Sequence, residues 1–93
     1  MIKVVHCRKE KYDIYIGHAI PLRGIKGSKW CNPFEVGRDG TREQVIAKYR
    51  DWITRGGGRH LVKDLHELRD KVIGCWCKPK ACHGDVLKQL IDG

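Results

Sequence analysis

The chain has 93 residues, of which 41% are hydrophobic and 32% charged, a length and composition that lead one to expect a single folded domain over residues 1–93 and speak against disorder. Its 19 Lys and Arg outnumber 11 Asp and Glu, so a formal net charge of +8 points to an anionic partner: a nucleotide-like small molecule, a nucleic acid or an acidic protein. No stretch approaches the roughly 20 apolar residues of a membrane span, and MIKVVHC lacks the apolar run of a secretory leader, so a cytoplasmic protein with no membrane partner is expected.

Residues 2–6, IKVVH, are rich in β-branched side chains and predict a first strand. DIYIG, residues 13–17, predicts a second, and the short connection between the two suggests an antiparallel pair. Residues 18–40 have no clean period, because Pro21, Gly24, Gly27, Pro33, Gly37 and Gly40 interrupt it. Trp30 and Phe34 argue that this long loop is ordered, since they carry area worth burying. TREQVIAKYRDWITR predicts a helix. Thr41 is its N-cap and Gln44 completes a capping box. Val45, Ile46, Tyr49, Trp52 and Ile53 form its apolar stripe, which makes Tyr49 and Trp52 core residues. Gly56, Gly57 and Gly58 end it. Leu61, Val62, Leu65 and Leu68 place a second helix at about residues 59–69, with His60 and His66 at its boundary. KVIGCWC, residues 71–77, predicts a third strand, central because it is almost continuously apolar. A last helix starts near Cys82 and turns Val86, Leu87, Leu90 and Ile91 inward. The expected fold class is α/β: a small two-layer or three-layer arrangement of about three short strands covered by about three helices, Rossmann-like in character.

The five cysteines are odd in number, and in a reducing compartment they point to metal binding or chemistry rather than disulfides. Three of them fall in GCWCKPKACHGD. Cys75 and Cys77 share one face of a strand, with Trp76 on the other. Cys75 is expected to behave as a small core hydrophobe. Cys82, His83 and Asp85 fall at a helix start, where unpaired N–H groups and a partial positive charge favour an anion and lower a thiol pKa. They are the candidate catalytic residues, with Cys82 or Asp85 as nucleophile or base and His83 as proton shuttle. Gly84 and Cys77 complete that end of the site. Zinc is the alternative, with Cys75, Cys77, Cys82 and His83 as four ligands, although their spacing departs from paired C-x-x-C knuckles.

A second region, GSKWCNPFEVGRDGTRE, supplies the other candidate binding residues. Asn32 is held extended by Pro33 and can present its amide. Lys29 and Arg42 add positive charge, with Arg38 beside them. Trp30 offers a stacking face in one reading and a packed core residue in the other.

DIYIG, SKWCNPF, DGTREQVIAKYRDWI and GCWCKPKACHGDVLKQL together resemble the phage and bacterial family catalogued as domain of unknown function 4326. The resemblance runs from Asp13 to Leu90 and rests on the K-W-x-N-P-F and C-W-C-x-P-x-x-C-H-G-D patterns. The family pattern has Gly at the position of Cys31 and often Arg at that of His18, which speaks against a fixed role for either. It implies a small phage or bacterial domain and supplies no function. The function expected from the residues is binding of a nucleotide or a nucleotide-sugar of the ADP-ribose type at the Cys/His/Asp helix start, either sequestering it or acting on it. A zinc-stabilised interaction module and a basic nucleic-acid-binding protein are the alternatives.

Overall fold

β3 (Val72–Cys75) is the centre of a three-stranded sheet, with β1 (Lys3–His6) on one side and β2 (Ile14–Tyr15) on the other. The computed structural model describes residues 1–93. The apolar run of β3 predicted its central place, since a strand flanked on both edges and packed on its faces has little use for polar side chains. Ile73 and Cys75 are almost fully buried in the core cluster. α1 (Arg42–Thr54), a 3-10 segment at Arg59–Leu68 and α2 (His83–Asp92) complete a small α/β fold.

The strand pairing differs from the expected antiparallel hairpin. β1 and β2 do not pair with each other, and each runs parallel to β3. Parallel neighbours usually need a connection of a dozen residues or more, yet only residues 7–13 separate β1 from β2. The register explains the economy. His6 at the end of β1 lies opposite Cys75, and Ile14 at the start of β2 lies opposite Ile73. The connector therefore retreats by only two positions while it crosses the width of β3. It crosses over Gly74: a Cβ there would stand 2.8 Å from Tyr12 Cγ. The missing side chain makes room for the Tyr12 ring. Asp13 then fixes the arrival, accepting from Val72 N–H at 2.8 Å and donating its own N–H to Val72 O at 2.7 Å.

The helical elements pack on the face that carries Ile73 and Cys75. α1 forms as predicted: Gln44 N–H donates to Thr41 Oγ1 at 3.2 Å and Thr41 N–H to Gln44 Oε1 at 2.8 Å. Val45, Tyr49 and Ile53 of its stripe are buried, with Trp52 packed at their margin. The expected second α-helix is a 3-10 helix instead. The four-then-three spacing of Leu61, Leu65 and Leu68 suits an α-helix better than a 3-10 helix, so the pattern points to the α form, but over so short a segment that preference is weak and packing decides. His60 Nδ1 and His66 Nδ1 each bond the carbonyl three residues earlier, at 3.1 and 2.9 Å, which suits the tighter coil. α2 begins at the N-cap Cys82 and is tied to β1 at its far end, where Asp92 accepts from Ile2 N–H and Lys88 donates to Ile2 O.

The long loop is ordered. Residues 20 and 25 bridge across a short 3-10 turn at Pro21–Arg23. Trp30 is 2% exposed and lies in the core, where its carbonyl accepts the Tyr49 hydroxyl at 2.7 Å. No helix is long and apolar enough to cross a membrane.

Candidate functional site

A cavity of about 330 Å³ opens where β3 ends and α2 begins. Three segments build it. The loop contributes Asn32, Phe34 and Val36; the start of α1 contributes Arg42, Val45 and Ile46; the turn between β3 and α2 contributes Trp76, Cys77, Cys82 and His83. Cys75 closes the floor, and His18 and Glu35 lie on the rim. The walls are mostly apolar, with a few polar groups aimed inward, the usual composition of a small-molecule site.

Asn32 is buried and serves the walls. Its Oδ1 accepts from Phe34 N–H at 2.9 Å, and its Nδ2 donates to Val45 O at 3.2 Å. One side chain thus fixes Phe34 against α1. Arg42 sits in the first turn of α1, oriented by the Thr41 cap. It donates to Ala81 O at 3.1 Å, its charge opposes the rise in the Cys77 pKa, and it has no carboxylate partner. Glu35, the nearest acid of the cavity, pairs with Arg38. Arg42 is therefore the uncompensated charge of the cavity.

His83 is 8% exposed, edge-on to Tyr49 with ring centres 5.0 Å apart. Burial pushes its pKa down to about 4, against the smaller opposing effect of the Ile16 carbonyl. The ring is thus neutral at pH 7. A carbonyl only accepts, so the 2.8 Å contact with Ile16 O places the proton on Nε2. Nδ1 keeps a lone pair with no protein donor.

The thiols differ among themselves. Cys82 Sγ lies 3.2 Å from Cys75 Sγ. The hydrogen bond from Cys75 holds the Cys82 pKa below the ordinary thiol value despite burial, and the Gly84 N–H assists. Cys75 is raised: its hydrogen bond with Cys77 lowers it, but the bond to Cys82 and burial outweigh that effect. Cys77 is strongly raised, first by its hydrogen bond to Cys75 and then by burial, with Arg42 opposing.

The cavity thus gathers Cys77, Cys82, His83, Asn32 and Arg42 from the expected site residues and leaves four outside it. Trp30 is in the core and offers no stacking face. Lys29 reaches the 3-10 segment instead, pairing with Asp64 at 3.1 Å and Glu67 at 2.9 Å. Gly84 packs against the sheet, where a Cβ would stand 2.9 Å from Val4 Cγ1 and 3.0 Å from Ile16 Cδ1. Asp85 accepts from Cys82 N–H at 3.0 Å and pairs with Lys78 at 2.6 Å. Its carboxylate takes the place at the helix start where a ligand anion was expected. The four residues of the zinc alternative do not converge either, because His83 is turned to Ile16, and no group of three or more His, Cys, Asp or Glu side chains is arranged to hold a metal ion.

Phe34, Val36, Val45, Ile46 and Trp76 were not singled out as site residues. Val45 and Ile46 read as core because they belong to the α1 stripe. Phe34 carried a signal, standing two positions from Asn32 in the same motif and too large for a free loop tip. Trp76 lies just beyond β3, where strand alternation no longer fixes its direction. Its Nε1–H donates to Tyr15 Oη at 2.7 Å, and that hydroxyl donates to His18 O at 2.7 Å.

Two viral proteins are similar in sequence. One is "Uncharacterized protein R718" of Acanthamoeba polyphaga mimivirus, 39% identical over 88 residues, covering 84% of this chain and 65% of that protein. The other is the "Uncharacterized 12.4 kDa protein in nrdA-td intergenic region" of Enterobacteria phage T4, 34% identical over 95 residues, covering 99% of this chain and 79% of that protein. The chain thus spans just under two thirds of its mimivirus relative. No solved structure matches it. Residues 3–93 match the family described as a domain of unknown function, DUF4326, and the chain belongs to that family.

Proposed function

We propose that the protein binds a small anionic ligand with a flat body, a nucleotide or a nucleotide-sugar of the ADP-ribose type, in the cavity between β3, α1 and α2. The observation that carries this reading is Arg42, a guanidinium without a carboxylate partner, set in a mostly apolar cavity beside Phe34 and Trp76. Arg offers a planar fork suited to phosphate or carboxylate, and the aromatic walls suit a base or sugar face. The volume limits the ligand. At about 330 Å³ the cavity is at the small end of the roughly 300–1,000 Å³ of ligand pockets. It accommodates a nucleoside-sized portion, and the rest of an ADP-ribose-sized molecule would extend past the His18 and Glu35 rim. The phosphate contact falls to Arg42 and not to the α2 start, which Asp85 already caps. With viral relatives on both sides, sequestration of a host nucleotide signal is the role that fits a binding-only site.

Calorimetric titration with nucleoside monophosphates, diphosphates and ADP-ribose tests the reading. One member of the panel binds saturably, and Arg42→Gln and Phe34→Ala each weaken it at least about tenfold, roughly 1.4 kcal/mol. No saturable binding across the panel removes the reading. Binding to oligonucleotides that falls steeply with salt and ignores Arg42 would move the function to a basic nucleic-acid surface instead.

A catalytic version is favoured by Cys82 and His83, a thiol with a lowered pKa beside a neutral imidazole with an open Nδ1. There Cys82 is the nucleophile and His83 the proton acceptor, while Asp85 has only a capping role. Turnover of a nucleoside or nucleotide that survives Cys82→Ser would exclude this version.

A further inference from the structure

The cavity is lined by three thiols, two of them in contact, and ligand binding needs no such arrangement. Cys82, the N-cap of α2, and Cys75, the last residue of β3, have sulfurs 3.2 Å apart, and Cys77 lines the same cavity two residues beyond Cys75. All three line the cavity, so a small solute that enters it meets them together. Cys7 and Cys31 are half-buried and are not among the residues that line the cavity.

We propose that Cys75 and Cys82 form a peroxide-responsive dithiol, in which hydrogen peroxide oxidises Cys82 and Cys75 then closes an intrachain disulfide with it. In the first step the Cys82 thiolate attacks one peroxide oxygen and the O–O bond breaks. The departing hydroxide takes up the proton that Cys82 released, giving sulfenic acid and water. In the second step the Cys75 sulfur attacks the Cys82 sulfur and the S–O bond breaks. Hydroxide leaves with the Cys75 proton as a second water. Two thiols and one peroxide thus become one disulfide and two waters.

Geometry selects the pair. The sulfurs need to approach by only about 1 Å to reach the bonded separation of roughly 2.05 Å, a distance that side-chain rotation of Cys75 and Cys82 can supply. The intervening loop, residues 76–81, already brings β3 and α2 together. The order of events follows from the thiols' surroundings. Cys82 is the one whose thiolate is favoured, by the Cys75 hydrogen bond, whereas burial raises Cys7 and Cys31 and the bond to Cys75 raises Cys77. The bridge would pin the start of α2 to the end of β3 and draw the Cys82 sulfur off the Gly84 N–H, reshaping the cavity floor.

The test is a peptide map of the reduced wild-type protein after stoichiometric hydrogen peroxide. Trypsin cuts after Lys80, so the bridge joins the peptide carrying Cys75 and Cys77 to the one carrying Cys82, with the mass of two hydrogens lost. In Cys77→Ser the bridge persists, which assigns it to Cys75. In Cys75→Ser the reaction stops at a sulfenic acid on Cys82, trapped by dimedone. Cys82→Ser consumes peroxide at least tenfold more slowly and forms no bridge. Oxidation that begins at Cys7 or Cys31, dimers linked between chains, or sulfinic acid on Cys82 without a bridge overturns the proposal. The wild-type map shows whether the bridge to Cys82 forms, Cys77→Ser assigns its other sulfur, and the outcome is independent of whether the cavity binds a nucleotide.

Discussion

Burial of His83 against Tyr49 sets a pH limit on the fold. The folded ring has a pKa of about 4, whereas an unfolded histidine titrates near its ordinary 6.5. Above that upper value both states are neutral and nothing is lost. As the pH falls from about 6.5 to about 4, the unfolded chain takes up a proton that the folded chain refuses, and stability drops by about 3 kcal/mol. Below about 4 both are protonated and this contribution stops changing. Urea unfolding at a series of pH values will show this slope, and His83→Gln will flatten it over the same window. An unchanged slope in the variant would mean that the ring is not held neutral. At this scale the sequence named His83 through its place in C-H-G-D, but not its state. A helix-start histidine can face solvent or core, and only the packing of Tyr49 and the Ile16 carbonyl decided which.

At the scale of elements, the sheet depends on a missing side chain. The connector from β1 to β2 is short because Gly74 lets the Tyr12 ring cross directly over β3. Gly74→Ala places a Cβ 2.8 Å from that ring and is expected to destabilise the fold by roughly 1–3 kcal/mol, the range for overpacking. Tyr12→Ala in the same chain relieves part of that loss, so the two changes are not additive. Additive losses would show that the connector runs elsewhere. α1 carries a second consequence. Its capping box orients the first turn, where Arg42 lies. Thr41→Ala therefore costs about 1 kcal/mol of stability and weakens ligand binding as well, because the cap and the cavity share one turn. The capping box was legible because Thr41 and Gln44 act on adjacent backbone groups. The parallel pairing was not, because a seven-residue link between two apolar runs looks like a hairpin until β3, nearly sixty residues later, is placed between them.

For the whole molecule, the loop at residues 18–40 joins the core to the cavity. Trp30 anchors the loop from inside, and Phe34, four residues on, forms a wall of the cavity. Trp30→Ala is expected to cost about 3–5 kcal/mol, the range for removing a large buried aromatic. Trp30→Phe keeps most of the packing and leaves ligand affinity unchanged, since the ring is 2% exposed and touches no ligand. A large loss of affinity in a folded Trp30→Phe protein would return Trp30 to the binding site.

The sequence by itself determined the features that depend on near neighbours: the α1 stripe and cap, the central apolar strand, the start of α2 at Cys82 and the clustering of thiols beside it. Each follows from periodicity or backbone chemistry within a few residues. The tertiary structure alone decided how those pieces face one another. It set β1 and β2 on opposite sides of β3, drew Trp30 inward, turned Lys29 to Asp64 and Glu67, and gave the α2 start to Asp85, leaving Arg42 to carry the charge of the cavity. These are choices between burial and exposure, or between rival partners for one charge, and they depend on residues far apart in the chain.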